Sequence, residues 1–199
     1  MTIKPKDQLF GHVELILGPM FSGKTTELFR RIRRYTFANL QCYLIKYKND
    51  NRYSSVASTH DKIRLEAVSC TNLGEAEKSS AGYDVIGIDE GQFFPDIVEF
   101  CQKMAENGKI VVVSALNGTY QRKPFDVISR LVPISEKMTK LSAICMVCYG
   151  EAHFTKRTVS SNKLELIGGS EFYIATCRKC FNLENDKIKN IKSPSMFSE

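Results

Sequence analysis

His12-Val13-Glu14-Leu15-Ile16-Leu17-Gly18-Pro19-Met20-Phe21-Ser22-Gly23-Lys24-Thr25-Thr26 is the stretch that decides the fold. Its first six residues make a short apolar run that ends at Gly18. A helical pattern follows from about Gly23, with Leu28, Ile32 and Tyr35 recurring on one face. Between the two, Gly18–Thr25 matches G-x-x-x-x-G-K-[ST], and strand before, helix after is the context that gives this match meaning. The glycines let the chain curl until successive backbone N–H groups point inward at phosphate oxygens. The helix adds its positive N-terminal end. In such a loop Lys24 reaches the β- and γ-phosphates, and the Thr25 hydroxyl is a ligand for Mg²⁺. Gly18, Pro19, Met20, Phe21, Ser22, Gly23, Lys24, Thr25 and Thr26 are therefore expected to form a nucleotide-phosphate cradle.

Outward from this loop, Arg30, Arg31, Arg33 and Arg34 are expected on the solvated faces of the first helix. Gln41–Tyr47 reads as a second strand, Lys48–Asp61 as a loop without period, and Leu73–Ser79 as a short helix. Asp84–Ile88 is a short apolar strand closed by Asp89 and Glu90. Pro95 opens the next helix, where its missing N–H costs little. Ile97, Cys101 and Met104 give that helix its apolar face, and Gly108 stops it. Lys109–Leu116 is the most β-rich run of the chain. Alternating strands and helices imply an α/β domain with a central parallel sheet covered on both faces.

In such a sheet a carboxylate at the C-terminal end of a buried strand stands where ligands bind. Asp89 is expected to hold Mg²⁺, which leaves Glu90 to accept a proton from whatever attacks the γ-phosphate. If that group is water, the protein is an ATPase. If it is an alcohol, the protein is a kinase. These residues alone do not choose.

The 199-residue chain is 43% hydrophobic and 25% charged, an ordinary globular balance that excludes a disordered or coiled-coil chain. A net charge of +6 suits anionic ligands but is too small and dispersed to indicate nucleic acid. No stretch nears the roughly 18 apolar residues that a membrane span needs, and no signal peptide is read. Of seven cysteines, four form two pairs, Cys145-x-x-Cys148 and Cys177-x-x-Cys180, with 28 residues between the pairs. Two such knuckles close a tetrahedral, structural Zn²⁺ site with no position left for catalysis. Metal ligation instead of disulfides points to a reducing, cytoplasmic location. The span between the pairs carries Phe154, Thr155, Lys156, Arg157, Gly168, Gly169 and Tyr173, with β-like runs at Ala152–Lys156 and Lys163–Ile167. It could close over a small ligand or grip nucleic acid as a zinc ribbon.

Several segments then occur in one order: Gly18–Thr25, Asp50-Asn51-Arg52-Tyr53, Thr59-His60-Asp61, Ile88–Phe94, Gly118–Lys123, Ile167-Gly168-Gly169 and the cysteine quartet. In this combination the chain closely resembles the cytosolic-type (type II) thymidine kinases, from about Gly11 to Phe181. The resemblance implies ATP-dependent phosphorylation of the thymidine 5′-hydroxyl to give dTMP for deoxynucleoside salvage. It implies a RecA-like P-loop domain followed by a small C-terminal zinc-ribbon domain whose lasso loop covers the nucleoside. Expected boundaries are an N-terminal extension at 1–11, the P-loop domain at 12–140, the lasso domain at 141–182 and a flexible tail at 183–199.

Carried over by position, Glu90 matches the general base, and Asp50, Arg52, Asp89 and Gln92 join the phosphate loop around ATP. Arg52 also approaches the acceptor. Met20, Phe93, Leu116, Tyr120, Phe125, Thr155, Leu164, Glu165, Leu166, Ile167, Gly168 and Tyr173 fall where the family binds thymidine. Flat apolar walls suit a planar base, and its polar edge can bond to backbone in a closed loop. A homotetramer and feedback inhibition by dTTP are implied in the same way; no nucleic acid and no membrane are expected as partners. Asn117 departs from the resemblance, standing where an aspartate is common. Two other readings remain open: a nucleic-acid-stimulated P-loop ATPase with a zinc ribbon, and a zinc-stabilised adaptor that keeps nucleotide as filler.

Overall fold

The structure, a computed structural model, describes residues 10–48, 67–159 and 168–185. Most of the expected 48–61 loop and the expected strand at 163–167 lie outside these residues, as do Asp50, Arg52, Leu164, Glu165, Leu166 and Ile167.

The opening run forms β1 (His12–Gly18), and α1 (Lys24–Phe37) follows it. The chain continues through β2 (Cys42–Tyr47), β3 (Ala67–Cys70), a 3₁₀ turn at Leu73–Ala76, α2 (Glu77–Ser80) and β4 (Val85–Ile88). A second 3₁₀ turn at Gly91–Phe93 leads to α3 (Ile97–Glu106), β5 (Ile110–Leu116), α4 (Asp126–Leu131) and β6 (Lys137–Lys140). The six strands are all parallel, in the order β3-β2-β4-β5-β1-β6. Helix α3 begins at Ile97, two residues after Pro95, and ends before Gly108, whose φ is +77°.

Alternation along the strands assigns the two faces. Ile16, Leu44, Val85, Ile110 and Val112 point to one side and pack with Leu28 and Ile32 of α1. Val13, Leu15, Leu17, Ile45, Ile86, Ile88, Val111 and Val113 point to the other, against Ile97, Cys101 and Met104 of α3 and Ile128 and Leu131 of α4. Gly87 lies under α1, and a Cβ there would stand 3.0 Å from Ile32 Cδ1. That close approach draws α1 onto the middle of the sheet.

One arginine departs from expectation. Arg31 is buried, at 5% exposure, because the buried Glu14 of β1 faces α1 and needs a cation. Its guanidinium meets Glu14 Oε2 at 2.5 Å, Glu27 Oε1 at 2.8 Å and Thr139 Oγ1 at 2.8 Å.

A smaller module follows the sheet: the hairpin of β7 (Ala143–Ile144) and β8 (Glu151–Ala152), the antiparallel pair β9 (Phe154–Arg157) and β10 (Tyr173–Thr176), and α5 (Arg178–Phe181). Its core is small, built on Ala143, Cys145, Ala152, Ala175 and Cys180. Its contacts run past Asn182: Lys156 Nζ donates to the Leu183 carbonyl, and Asn185 Nδ2 to the carbonyls of Arg157 and Thr158. No helix among the described residues is long and apolar enough to cross a membrane.

Candidate active site

The loop after β1 carries its conformation in its own bonds. Gly23 caps α1 with φ +76°, a left-handed backbone that glycine adopts at no steric cost. Phe21 also has positive φ, at +65°. Ser22 Oγ and the buried Lys24 Nζ each donate to the Pro19 carbonyl at 2.8 Å, closing the loop on itself. The Met20 N–H is bound from outside, by Thr155 Oγ1 of the second module at 2.9 Å, and both residues are buried.

Strand parity then places the acids. Val85 and Gly87 face α1, so Asp89, two residues on, faces it too. Thr25 Oγ1 at the start of α1 donates to both Asp89 oxygens, at 3.1 and 3.2 Å. Ser114 Oγ of β5 donates to Oδ1 at 2.7 Å, as does the Glu90 N–H at 3.1 Å. Burial, reinforced by the Glu90 charge, pushes the Asp89 carboxyl up to about 6, with Ser114, Thr25 and Lys24 pulling the other way. A cation between Thr25 and Asp89 would offset that cost, so the pair fits Mg²⁺.

Glu90 turns away from Asp89. Its backbone is left-handed, φ 55° and ψ 44°, which breaks the strand and separates the directions of two consecutive carboxylates. Glu90 is 9% exposed, and its Oε2 accepts from Gln92 Nε2 at 2.6 Å. Gln92 Oε1 accepts in turn from the Leu116 N–H at 3.0 Å. Gln92 was expected at the phosphates; its side-chain amide bonds instead to Glu90 and the end of β5.

Among the expected pocket residues, Phe93 stacks near Tyr47 with ring centroids 5.0 Å apart, and Phe125 packs half-buried on the core. Tyr120 and Tyr173 meet at Arg157, a residue that sequence reading placed in the excursion without a role. The Arg157 guanidinium carbon lies 3.8 Å from the Tyr120 ring centroid, and Nη2 donates to the Tyr173 hydroxyl at 2.7 Å. Gly168 is half-buried beside Phe172, where a Cβ would come within 2.2 Å of that ring. Asn117 Nδ2 donates to the His153 carbonyl at 3.3 Å, a bond that an ionised aspartate has no hydrogen to make.

The four expected cysteines converge. Their sulfurs all lie within 4.8 Å of one another, and Cys148 and Cys177 are 3.7 Å apart. Zn–S bonds of about 2.3 Å in a tetrahedron put sulfurs about 3.8 Å apart, so the quartet fits Zn²⁺. The knuckles are tied to each other by Met146 N–H to the Ala175 carbonyl at 2.9 Å.

Comparison with known proteins agrees in sequence. Residues 11–181 match the family model described as thymidine kinase. The thymidine kinases of Vaccinia virus (strain Ankara) and Variola virus are each 56% identical to this chain over 171 residues, covering 86% of it and 97% of their own length. That of Monkeypox virus is 54% identical over the same span. Among solved structures, the flagellar accessory protein FlaH of Methanocaldococcus jannaschii aligns over 77% of this chain and 76% of its own, with 12% identity and a TM-score of 0.48.

Proposed function

Since the chain belongs to the thymidine kinase family, we propose that it moves the γ-phosphate of ATP to the 5′-hydroxyl of thymidine with Glu90 as the base. One observation supports this most: a buried second carboxylate stands next to the acid that Thr25 of the phosphate loop holds. The kinase reading uses both acids and keeps their tasks apart.

The steps assigned to this chain are binding, alignment and one proton transfer. The loop N–H groups and Lys24 hold the triphosphate. Thr25 and Asp89 would hold Mg²⁺, which when bound would supply charge neutralisation for the transferring phosphoryl group. Glu90 takes the proton of the 5′-hydroxyl as the hydroxyl oxygen attacks the γ-phosphorus, and the bond from that phosphorus to the β–γ bridging oxygen breaks to release ADP. Phe93, Leu116, Tyr120, Phe125, Thr155 and Tyr173 wall the base. Asp50 and Arg52 complete the phosphate side, while Leu164, Glu165, Leu166, Ile167 and Gly168 close over thymidine. The zinc quartet staples residues 141–182 as a lasso domain, with 12–140 as the P-loop domain. A homotetramer, inhibition by dTTP and a cytoplasmic location complete the proposal.

The test is turnover with radiolabelled thymidine, ATP and Mg²⁺. ATP consumption is expected only when thymidine is present. Glu90→Gln should lose roughly 10²- to 10⁴-fold in kcat while ATP still binds. Hydrolysis that proceeds without nucleoside and rises with DNA or RNA would favour the ATPase reading instead.

A further inference from the structure

Gln92 is a buried polar side chain, 6% exposed, beside the strained residue that carries the chemistry. Its amide is a two-ended clamp whose direction is set by its partners. The Leu116 N–H can only donate, so the atom facing it must be Oε1, and Nε2 must then face Glu90. No amide flip satisfies both neighbours. Leu116 ends β5 and pairs in register with Gly18 of β1, so the clamp is anchored in the sheet.

Glu90 needs such an anchor for two reasons. Its side chain has three rotatable bonds, and its left-handed backbone gives no support from a continued strand. Asp89 is the next residue, and like charge drives the Glu90 carboxylate away from the edge it must serve. A charge-assisted bond of 2.6 Å from a buried donor answers both.

We infer that Gln92 is a positioning residue for Glu90, locking its carboxylate to the C-terminal end of β5 and so fixing its direction towards the acceptor alcohol. This rests on the reading of Glu90 as the base. It differs from the expectation that Gln92 contacts the phosphates, because that role would appear in nucleotide affinity.

The experiment is a double-mutant cycle with thymidine and ATP as substrates. Gln92→Ala should lower kcat by roughly 10- to 100-fold, the scale of misplacing a reacting group by about 1 Å. Thymidine KM and the ATP dissociation constant should stay within about twofold. In a Glu90→Gln background the same change should alter kcat by less than about threefold, since no base remains to position. Gln92→Glu, assayed under alkaline conditions, guards against misfolding: it still accepts the Leu116 N–H but offers no donor, and should lose at least as much rate. Losses that multiply across the cycle, or a Gln92→Ala enzyme with normal kcat and weakened ATP binding, would overturn the proposal. A Glu90→Gln enzyme of near-normal rate would instead remove the base itself, a result distinct from failure of the clamp alone.

Discussion

Replacing Arg31 with methionine tests how α1 is held to the sheet. Arg31 and Glu14 are 5% and 3% exposed, and the guanidinium supplies the 2.5 Å contact to Glu14 Oε2. In Arg31→Met the Glu14 carboxylate stays buried with the Tyr35 hydroxyl at 2.7 Å, His12 Nε2 at 3.4 Å and Lys137 Nζ at 3.6 Å. Stripping one partner from a buried pair costs about 3–5 kcal/mol, and the surviving contacts argue for the lower end, about 3 kcal/mol. For a domain of this size that is a fall of roughly 6–12 °C in Tm.

The acid dependence carries a sign. Burial pushes the Glu14 carboxyl up, but Tyr35 and Arg31 outweigh it and hold it below the ordinary glutamate value. Its contribution is therefore full above that ordinary value, about 4.3, and is lost as pH falls through the lower folded value. Without Arg31 the group no longer favours its charged form, so the gap between variant and parent should narrow from neutral pH towards pH ~4. Urea unfolding across that range measures it. The double variant Glu14→Met/Arg31→Met should recover most of the loss, since paired apolar replacements are often near neutral. A gap under about 1 kcal/mol, or one that does not narrow in acid, would refute the reasoning.

Two further outcomes concern the join between the modules. Cys148→Ser should reduce bound zinc from one per chain, measured by atomic absorption, and loosen chiefly the small C-terminal core while β1–β6 keep their exchange protection; full zinc content would remove Cys148 from the ligand set. Thr155→Val keeps the shape but leaves the buried Met20 N–H without its acceptor, at a cost of about 1–3 kcal/mol. Hydrogen exchange at the Met20 amide should accelerate accordingly, and unchanged exchange would mean that the bond does not form in solution.

Elements with a strong local signal were legible in the sequence. The phosphate loop, the acids after β4, the stripe of Leu28 and Ile32 and the cysteine pairs each announce themselves within a few residues. The edges of the sheet do not. Strand β6, Lys137-Met138-Thr139-Lys140, is largely exposed and has no apolar alternation; pairing with β1 makes it a strand. Strand β3 is four residues long and, among the described residues, pairs with β2 alone. The fate of Arg31 hung on a clue of another kind: Glu14 inside an otherwise apolar strand implies a buried cation, but which of four arginines answers depends on the helix phase over the sheet. Gln92 gave less still, because its role needs the end of β5, 24 residues away, to lie beside it.

The division of labour between the acids follows from parity, and that makes it fragile in a defined way. Positions 85 and 87 face α1, so 89 inherits that face and meets Thr25, and Ser114 reaches it because 110, 112 and 114 share the same side of β5. Glu90 falls to the other side, and its left-handed backbone commits it there. A one-residue slip of β4 against β5 would bring Glu90 to Thr25 and turn Asp89 towards α3. Burial resists that slip, since it would also exchange Gly87, where even a Cβ would stand 3.0 Å from Ile32 Cδ1, for a residue with a large side chain. The glycine under α1 thus guards the chemistry two residues later, although it touches none of the reacting groups.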